Sequence, residues 1–479
     1  MSTIKNPKVS DPPPNGATSP KAGPLRTPLP PLRPAVRSAP LTRPRFIGIS
    51  VLIIGVSLLI GLLLPVLMRR FIHMDLAMAT WGALTFWLRY LLIVGYWVFI
   101  FTAVMPTLLF AAWSYAGSPV RRVWRPQNQH LPFVSILIPA FNEQDLIVDA
   151  IRGALAQDYP DFEVIVIDDG STDLTAKLAA GTAARVIRHA KNQGKAAALN
   201  SGLAVARGEV IVTNDADGNL DPKALKHLVA PLYTPGVGAV AGQVRLFHPD
   251  TLIRRFQSLE YAYSQGLVKQ AQYATTGTVL IAPGPVSAFR VDLLRAMNGF
   301  PSDTLTEDFD LSLQILAREI QVAYEPRALA YTEAPRTDSE LHRQRIRWGR
   351  GGLQTFSKHR RLLGNRRFGL LGLFWLPYTF LSWYATIPLT LLSLVLLLFL
   401  ALSSKEPARF LAVLALFSTP VLVMEFARVT FGVLLSARRD LWLLGYAPLF
   451  LIYQKIRLDW FALQSLYHEW RNRPRTWNA

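Results

Sequence analysis

Apolar residues fall into two patterns along this chain. Near both ends they form long uncharged runs, and in the middle they form short runs separated by polar clusters. Phe46–Met68 is an uninterrupted run of 23 residues closed by Arg69 and Arg70. As a helix it is long enough for a hydrocarbon core of about 30 Å. Leu91–Tyr115 forms a second run, with Trp87, Tyr90, Trp97, Trp113 and Tyr115 near its ends as interfacial anchors. Phe368–Leu402 is too long for one straight span. Pro377 and Pro388 divide it into an interfacial segment feeding a transmembrane helix. Phe410–Ser436 is a further span, and Leu441–Gln454, at 14 residues, is marginal.

Between these flanks the period changes. Phe133–Ile138, Phe162–Ile167, Ala184–Ile187 and Val210–Thr213 read as short buried strands. Helical stretches separate them, the first placing Ile147, Ile151 and Leu155 on one face. Strands alternating with helices imply a mostly parallel sheet covered on both faces. The polar clusters follow the strand ends, where such sheets bind ligands. Neither a GxGxxG turn nor a Walker lysine loop is present, which argues against dinucleotide dehydrogenases and P-loop ATPases.

Charge sharpens this division. Residues 131–340 carry 18 Lys/Arg against 25 Asp/Glu, whereas the flanks 1–130 and 341–479 carry net charges of +12 and +14. The excess of +19 therefore belongs to the flanks of apolar segments, where positive charge marks the cytoplasmic side. An acidic folded domain argues against nucleic-acid binding. The basic flanks at 1–45 and 121–125 place both ends of the first two spans, and hence the middle domain, in the cytoplasm. Residues 1–45, rich in Pro, read as a disordered basic tail rather than a signal peptide, and as a tether in preference to a docking arm. The expected units are this tail, two transmembrane helices with a linker over 46–130, an α/β domain over 131–340, interfacial helices over 341–367, and transmembrane or interfacial helices over 368–479. The basic tail after Lys455 implies a cytoplasmic C-terminus, which makes 441–454 re-entrant or interfacial. The chain has no cysteine, which excludes disulfides, thiolate catalysis and Cys-ligated zinc.

Candidate chemistry collects at three acidic stations. Asp168 and Asp169 follow a strand and suit a nucleobase or ribose, or else an Asx-turn that opens a helix. Asp215 and Asp217, one residue apart after a buried strand, suit a hard divalent cation such as Mg2+ or Mn2+ bridging a diphosphate; an ordinary acidic turn is the plainer reading. Thr306-Glu307-Asp308 opens an apolar helix. It reads as an N-cap with acids in the first turn, and equally as a carboxylate placed to take a proton from an acceptor hydroxyl. Lys195 suits a phosphate, and Gly284-Pro285-Val286-Ser287 precedes a helix and brings backbone close to a sugar acceptor. Gln344, Arg347 and Trp348 share one helix face and offer an amide, a planar cation for phosphate and a flat ring for a sugar. The alternative there is a basic amphipathic helix on an anionic membrane surface. Glu425 and Arg428, within an apolar run, face either the protein interior, a polar path or each other. The histidines lack metal-ligand spacing and receive no role.

In order, Phe141-Asn142-Glu143, Asp168-Asp169-Gly170, Gly194-Lys195, Asp215-Ala216-Asp217, Thr306-Glu307-Asp308 and Gln344-Arg345-Ile346-Arg347-Trp348 resemble the membrane-embedded family-2 glycosyltransferases. That family includes the cellulose, chitin, hyaluronan and poly-N-acetylglucosamine synthases. The likeness covers residues 131 to about 355, and the surroundings of Gly284–Arg290, Tyr324–Pro326 and Tyr331–Pro335 are most similar to the poly-N-acetylglucosamine branch. It implies a cytoplasmic α/β domain of the GT-A type, Rossmann-like with a mostly parallel sheet, flanked by transmembrane helices of the cell (inner) membrane. It also implies Mg2+ or Mn2+, a UDP-sugar donor and a polysaccharide or lipid acceptor. By the same resemblance Phe141, Glu143, Asp168 and Asp169 surround the uridine, Lys195 meets the phosphates, Asp215 faces the nucleotide, and Asp217 with Asp215 holds the metal. Asp308, beside Glu307, is then the general base, Gln344 and Arg347 hold the diphosphate, and Trp348 stacks on the acceptor near Gly284 and Ser287.

The expected activity is inverting, processive synthesis of a β-linked polysaccharide from a UDP-sugar, UDP-GlcNAc first among them, with passage across the membrane. Single-sugar transfer to a lipid carrier or short acceptor is the alternative, and an inactive saccharide-binding scaffold the more distant one. An accessory membrane subunit stays open.

Overall fold

A computed structural model of the chain describes residues 29–32, 48, 50–55, 59, 105–116, 131–385, 407–436 and 438–471. The domain forms around an eight-stranded sheet in the order β3-β2-β1-β4-β7-β6-β8-β5. The strands are β1 Val134–Ala140, β2 Phe162–Asp168, β3 Arg185–Arg188, β4 Val210–Thr213, β5 Gly218–Leu220, β6 Val237–Leu246, β7 Ser287–Arg290 and β8 Gln321–Thr332. The first four are parallel neighbours, as the alternation of strands and helices implies. β7 runs antiparallel between β4 and β6, and β5 antiparallel beside β8, so the parallel character fades across the sheet.

The apolar runs are continuous because both faces are covered, and alternate residues feed opposite cores. Ile136, Ile138, Val164, Val166, Val210 and Val212 face one core; Leu137, Ile165, Ile167 and Ile211 face the other. The first core receives Ile147 and Ile151 from the Ile147–Leu155 helix. Leu155, expected on the same buried face, is exposed because the helix ends there. The second receives Leu199, Phe309 and Leu311, together with Phe110 and Trp375, whose rings stack 4.8 Å apart.

Several expectations need correction. Gly284–Ser287 leads into strand β7, and the helix Val291–Ala296 comes only after it. Pairing with β4 and β6 decides this, and nothing in four local residues could signal it. The 441–454 segment is not one element. A 3-10 stretch, Arg438–Tyr446, gives way to the helix Ala447–Trp470, with a proline in the new helix's first turn. Within the expected disordered tail, Leu29 and Leu32 lie against the two cores and Arg290 donates to the Pro30 carbonyl.

The runs expected to span at 46–68 and 91–115 fall largely outside the described residues, as do residues 386–402 of the third; its earlier part is helical over Leu371–Ala385. Phe410–Ser436 lies within one helix, Pro407–Ser436. Counting only described residues, no helix is long and apolar enough to cross a membrane. Arg428 pairs with Glu425 at 2.5 Å and donates to the hydroxyls of Tyr263 at 2.5 Å and Tyr378 at 3.1 Å. The helix-face pair therefore forms, and Arg428 also reaches inward to the two tyrosines.

Candidate active site

The strand ends bring the acidic stations together. β1 and β2 end side by side, with Ala140 registered to Asp168. The chain turns at Gly170, with φ of +77°, where an added Cβ would lie 2.6 Å from the Lys191 backbone. That position needs glycine both for the left-handed backbone and for the approach of the 189–194 loop.

Asp168 and Asp169 hold this corner. Asp168 is fully buried, pairs with Arg188 Nε at 3.0 Å and accepts from the Ser171 amide at 3.2 Å. Asp169 accepts from the backbone amides of Gln193 and Gly194 at 3.0 and 2.7 Å, and its Oδ1 lies 2.6 Å from His189 Nδ1. The other ring nitrogen of His189 lies 2.9 Å from Ser201 Oγ. The carboxylate thus shapes the loop that delivers Lys195, and His189, which its spacing left without a role, is part of that frame.

Lys195 opens the helix Lys195–Val205 immediately after this loop. Its Nζ pairs with Asp215 Oδ1 at 2.5 Å and lies 3.4 Å from Glu307 Oε1, so it joins the second and third stations. Burial opposes its charge, but Asp215 and Glu307 outweigh burial and hold the ammonium above its ordinary value. Gly284 closes over the pair: a Cβ there would stand 2.6 Å from Lys195 Nζ and 3.3 Å from both Asp215 oxygens. The backbone at Gly284, expected near a sugar acceptor, lies close to Lys195 and Asp215. Ser287, expected at the acceptor, does not reach the site. It is fully buried in β7 and donates to the Pro283 carbonyl at 2.7 Å.

Asp217 accepts from Thr332 Oγ1 at 3.1 Å. Burial and the neighbouring Asp215 push its carboxyl up to about 6. Glu143 is pushed up to about 7 by burial, then by Asp217 and Asp215, which places the Phe141–Glu143 turn in the same field. Asn142 sits at φ +56°, and its side chain accepts from the Thr172 amide at 2.9 Å, fixing that turn to the Asp169 corner. Phe141 is half-buried there. Among the described residues no group of three or more His, Asp or Glu side chains is spaced to enclose a metal ion by itself.

Glu307 and Asp308 begin the helix Glu307–Ala317. Thr306 makes no side-chain cap; its hydroxyl lies 3.3 Å from that of Thr355 instead. Glu307 is buried toward Lys195, and Asp308 is half-buried. Burial and the like charge of Glu307 push the Asp308 carboxyl up to about 6, against the pull of Lys195. A carboxyl held there takes up a proton far more readily than an ordinary one. Lys269 also senses Asp308; burial pushes it down to about 7, and its Nζ lies 5.6 Å from the centre of the Tyr324 ring.

Gln344, Arg347 and Trp348 lie on the helix Asp338–Lys358, which starts in a capping box of Thr337 and Glu340. Gln344 Oε1 is buried and makes no hydrogen bond. Arg345, between them in sequence, pairs with Glu260 at 2.8 Å and covers Trp348 at 4.3 Å from the ring centre. Tyr261, pushed up to about 12 by burial, senses Arg345, Glu260, Asp217 and Asp215. It marks where the helix face meets the two-acid station. Arg345, Glu260, Tyr261 and Lys269 were not legible as site residues, because none stands in a spaced motif of its own.

Known proteins place this geometry. Residues 135–297 match the sequence model of glycosyl transferase family 2. A poly-beta-1,6-N-acetyl-D-glucosamine synthase of Staphylococcus epidermidis is 30% identical over 233 residues, which are 48% of this chain and 56% of that protein. The enzyme of the same name from Staphylococcus aureus is 31% identical over 224 residues, 46% of this chain and 54% of that one. The chain thus spans just over half the length of these curated relatives. A mannosyltransferase from Pyrobaculum calidifontis, solved with GDP-Man and Mn2+, superposes with a TM-score of 0.51 at 24% identity, covering 69% of this chain and 94% of that one. That likeness is one of fold, and with the family match it bears out the expected GT-A-like architecture. Residues 135–297 of this chain thus form a glycosyl transferase family 2 domain.

Proposed function

We propose that the protein is a membrane-bound, inverting glycosyltransferase that builds a β-linked polysaccharide from a UDP-sugar, UDP-GlcNAc in particular, and passes it across the membrane. The observation that carries this is the bridge of Lys195 from Asp215 to Glu307, which puts the nucleotide station and the proton acceptor against one another. Transfer needs both at once. The similarity to poly-beta-1,6-N-acetyl-D-glucosamine synthases supports the choice of sugar and polymer. The apolar runs at 46–68, 91–115, 368–402 and 410–436 support the membrane.

The acceptor hydroxyl attacks the anomeric carbon, the bond to the diphosphate oxygen breaks, and the hydroxyl proton passes to Asp308. One displacement inverts the centre, so an α-linked donor gives a β-linked product. Phe141 and Glu143 border the uridine, with Asp168 and Asp169 shaping the loop beside it. Lys195, Gln344 and Arg347 face the diphosphate, and fixed cations there stabilise the charge that develops on departing UDP. Trp348 offers its ring to the acceptor sugar.

The residues present fit a divalent cation. Asp215, Asp217 and Glu143 crowd like charge around one lysine, and carboxylate oxygens are the ligands Mg2+ and Mn2+ take. Asp217, with Asp215, would hold it, and a bound ion would neutralise diphosphate charge. The test is UDP release and product size from membranes carrying the full chain, supplied with labelled UDP-GlcNAc and Mn2+ or Mg2+. Long product supports the reading. UDP release with only short or lipid-linked product moves it to single-sugar transfer.

A further inference from the structure

Arg345 precedes Trp348 by three residues on one helix, which makes the two side chains neighbours, and it is the residue that touches Trp348. It is buried at 7% exposure. One end of its guanidinium donates to Glu260 Oε2 at 2.8 Å, and Glu260 stands on the last turn of the helix Leu252–Tyr261. Its Cζ lies 4.3 Å from the centre of the Trp348 ring. A planar cation at that distance is attracted by the ring's π face, and the attraction strengthens when water is excluded. Among the described residues no other aromatic ring or cation packs on this indole.

The arrangement has two parts with different work. Glu260, itself half-buried, fixes where the buried guanidinium sits through a charge-assisted hydrogen bond. The guanidinium then covers one face of the indole. A sugar ring stacking on Trp348 would use the opposite face, with the tilt of the indole set from behind. Tyr261, next to Glu260, is within electrostatic reach of Asp215 and Asp217.

We propose that Arg345, held by Glu260, is a positioning residue that fixes the plane of Trp348 and thereby sets how firmly the acceptor end of the glycan is held. This rests on the reading of Trp348 as the acceptor platform. The plain alternative is an ion pair that only joins two helices.

The experiment uses the full chain in membranes with labelled UDP-GlcNAc and Mn2+. It measures product-length distribution, donor KM and thermal midpoint for Arg345→Lys, Glu260→Gln, Trp348→Ala and the double variant Arg345→Lys/Trp348→Ala. Arg345→Lys keeps the charge opposite Glu260 but loses the planar stack. The expected result is a product shortened by about fivefold, with donor KM and thermal midpoint close to wild type. Glu260→Gln shortens it in the same direction. Trp348→Ala shortens it further, and Arg345→Lys adds nothing in that background, as coupling through one ring requires. Unchanged length in Arg345→Lys, or an effect that adds in full to that of Trp348→Ala, overturns the proposal while leaving Trp348 as the platform. Unchanged length in Trp348→Ala overturns the platform reading itself, and the proposal with it.

Discussion

Asp310 Oδ1 lies 2.7 Å from His359 Nε2, which ties the first turn of the Glu307–Ala317 helix to the end of the Asp338–Lys358 helix. Lys358 Nζ adds a bond of 2.7 Å to the other oxygen, and Gln314 donates at 3.2 Å. One turn before the tie, the Leu305 amide donates to Gln354 Oε1 at 3.0 Å. The segment bearing Asp308 and the helix bearing Gln344, Arg347 and Trp348 are thus locked as one body. The proposed base and diphosphate ligands come from chain regions about forty residues apart, and this lock ties those regions together.

The lock predicts a stability effect with a defined pH window. Burial opposes the charge of Asp310, but the bonds from His359, Lys358 and Gln314 outweigh it and hold the carboxyl down at about 2. A depressed carboxyl contributes stability above its unfolded value of 3.8, and loses it only as pH falls through the folded value. Asp310→Ala should cost about 1–3 kcal/mol, because it removes a buried acceptor that takes bonds from the half-buried His359 and Gln314 and the more exposed Lys358. The cost, read from denaturant midpoints, should be constant from pH 5 to 8 and shrink only in stronger acid, below about pH 4.

Asp308 predicts a rate profile. It must be ionised to accept the proton, and its carboxyl is pushed up to about 6. kcat/KM should therefore fall about tenfold per pH unit below that value and level off above it. Lys195 pulls the Asp308 carboxyl down, so Lys195→Gln should move the acid limb to higher pH besides raising donor KM. A limb that stays in place in that variant would disconnect the two residues. Asp308→Asn should lose about 10²–10⁴-fold in rate with the fold intact by circular dichroism.

Gly284→Ala tests the packing of the bridge. The new Cβ would press on Lys195 Nζ at 2.6 Å and on Asp215 at 3.3 Å. Lysine is flexible and will move, so the thermal midpoint should change little. The ammonium leaves its place, and donor KM should rise. A donor KM equal to wild type would show that the bridge does not serve donor binding.

Much of the domain was legible in the sequence because its signals are local. β4 matches the expected Val210–Thr213 run residue for residue, and β2 extends the expected run by Asp168 alone. Continuous apolar runs bounded by polar residues announce buried parallel strands wherever they lie. β8 went unseen because Glu325 and Pro326 interrupt it. The structure absorbs them where the register with β6 shifts between Ala241 and Gln243. The acidic stations were legible as spaced motifs, but the division of labour within them was not. Asp169 spends its oxygens on backbone amides, and Ser287 is sealed in a strand. Burial and pairing decide such roles, and neither is written in residue spacing. Arg345 shows the converse: its partner Glu260 lies 85 residues earlier, so only the fold reveals the contact.

The most direct test of the account is one paired measurement on membranes carrying the full chain. UDP release and the size of labelled product are followed together across a panel of UDP-sugars with Mn2+ or Mg2+, with Asp308→Asn as control. The account predicts metal-dependent, high-molecular-weight product from UDP-GlcNAc, and formation of that product slowed about a hundredfold or more in the variant. Turnover close to wild type in Asp308→Asn, or release of UDP with no polymer from any donor, would contradict it.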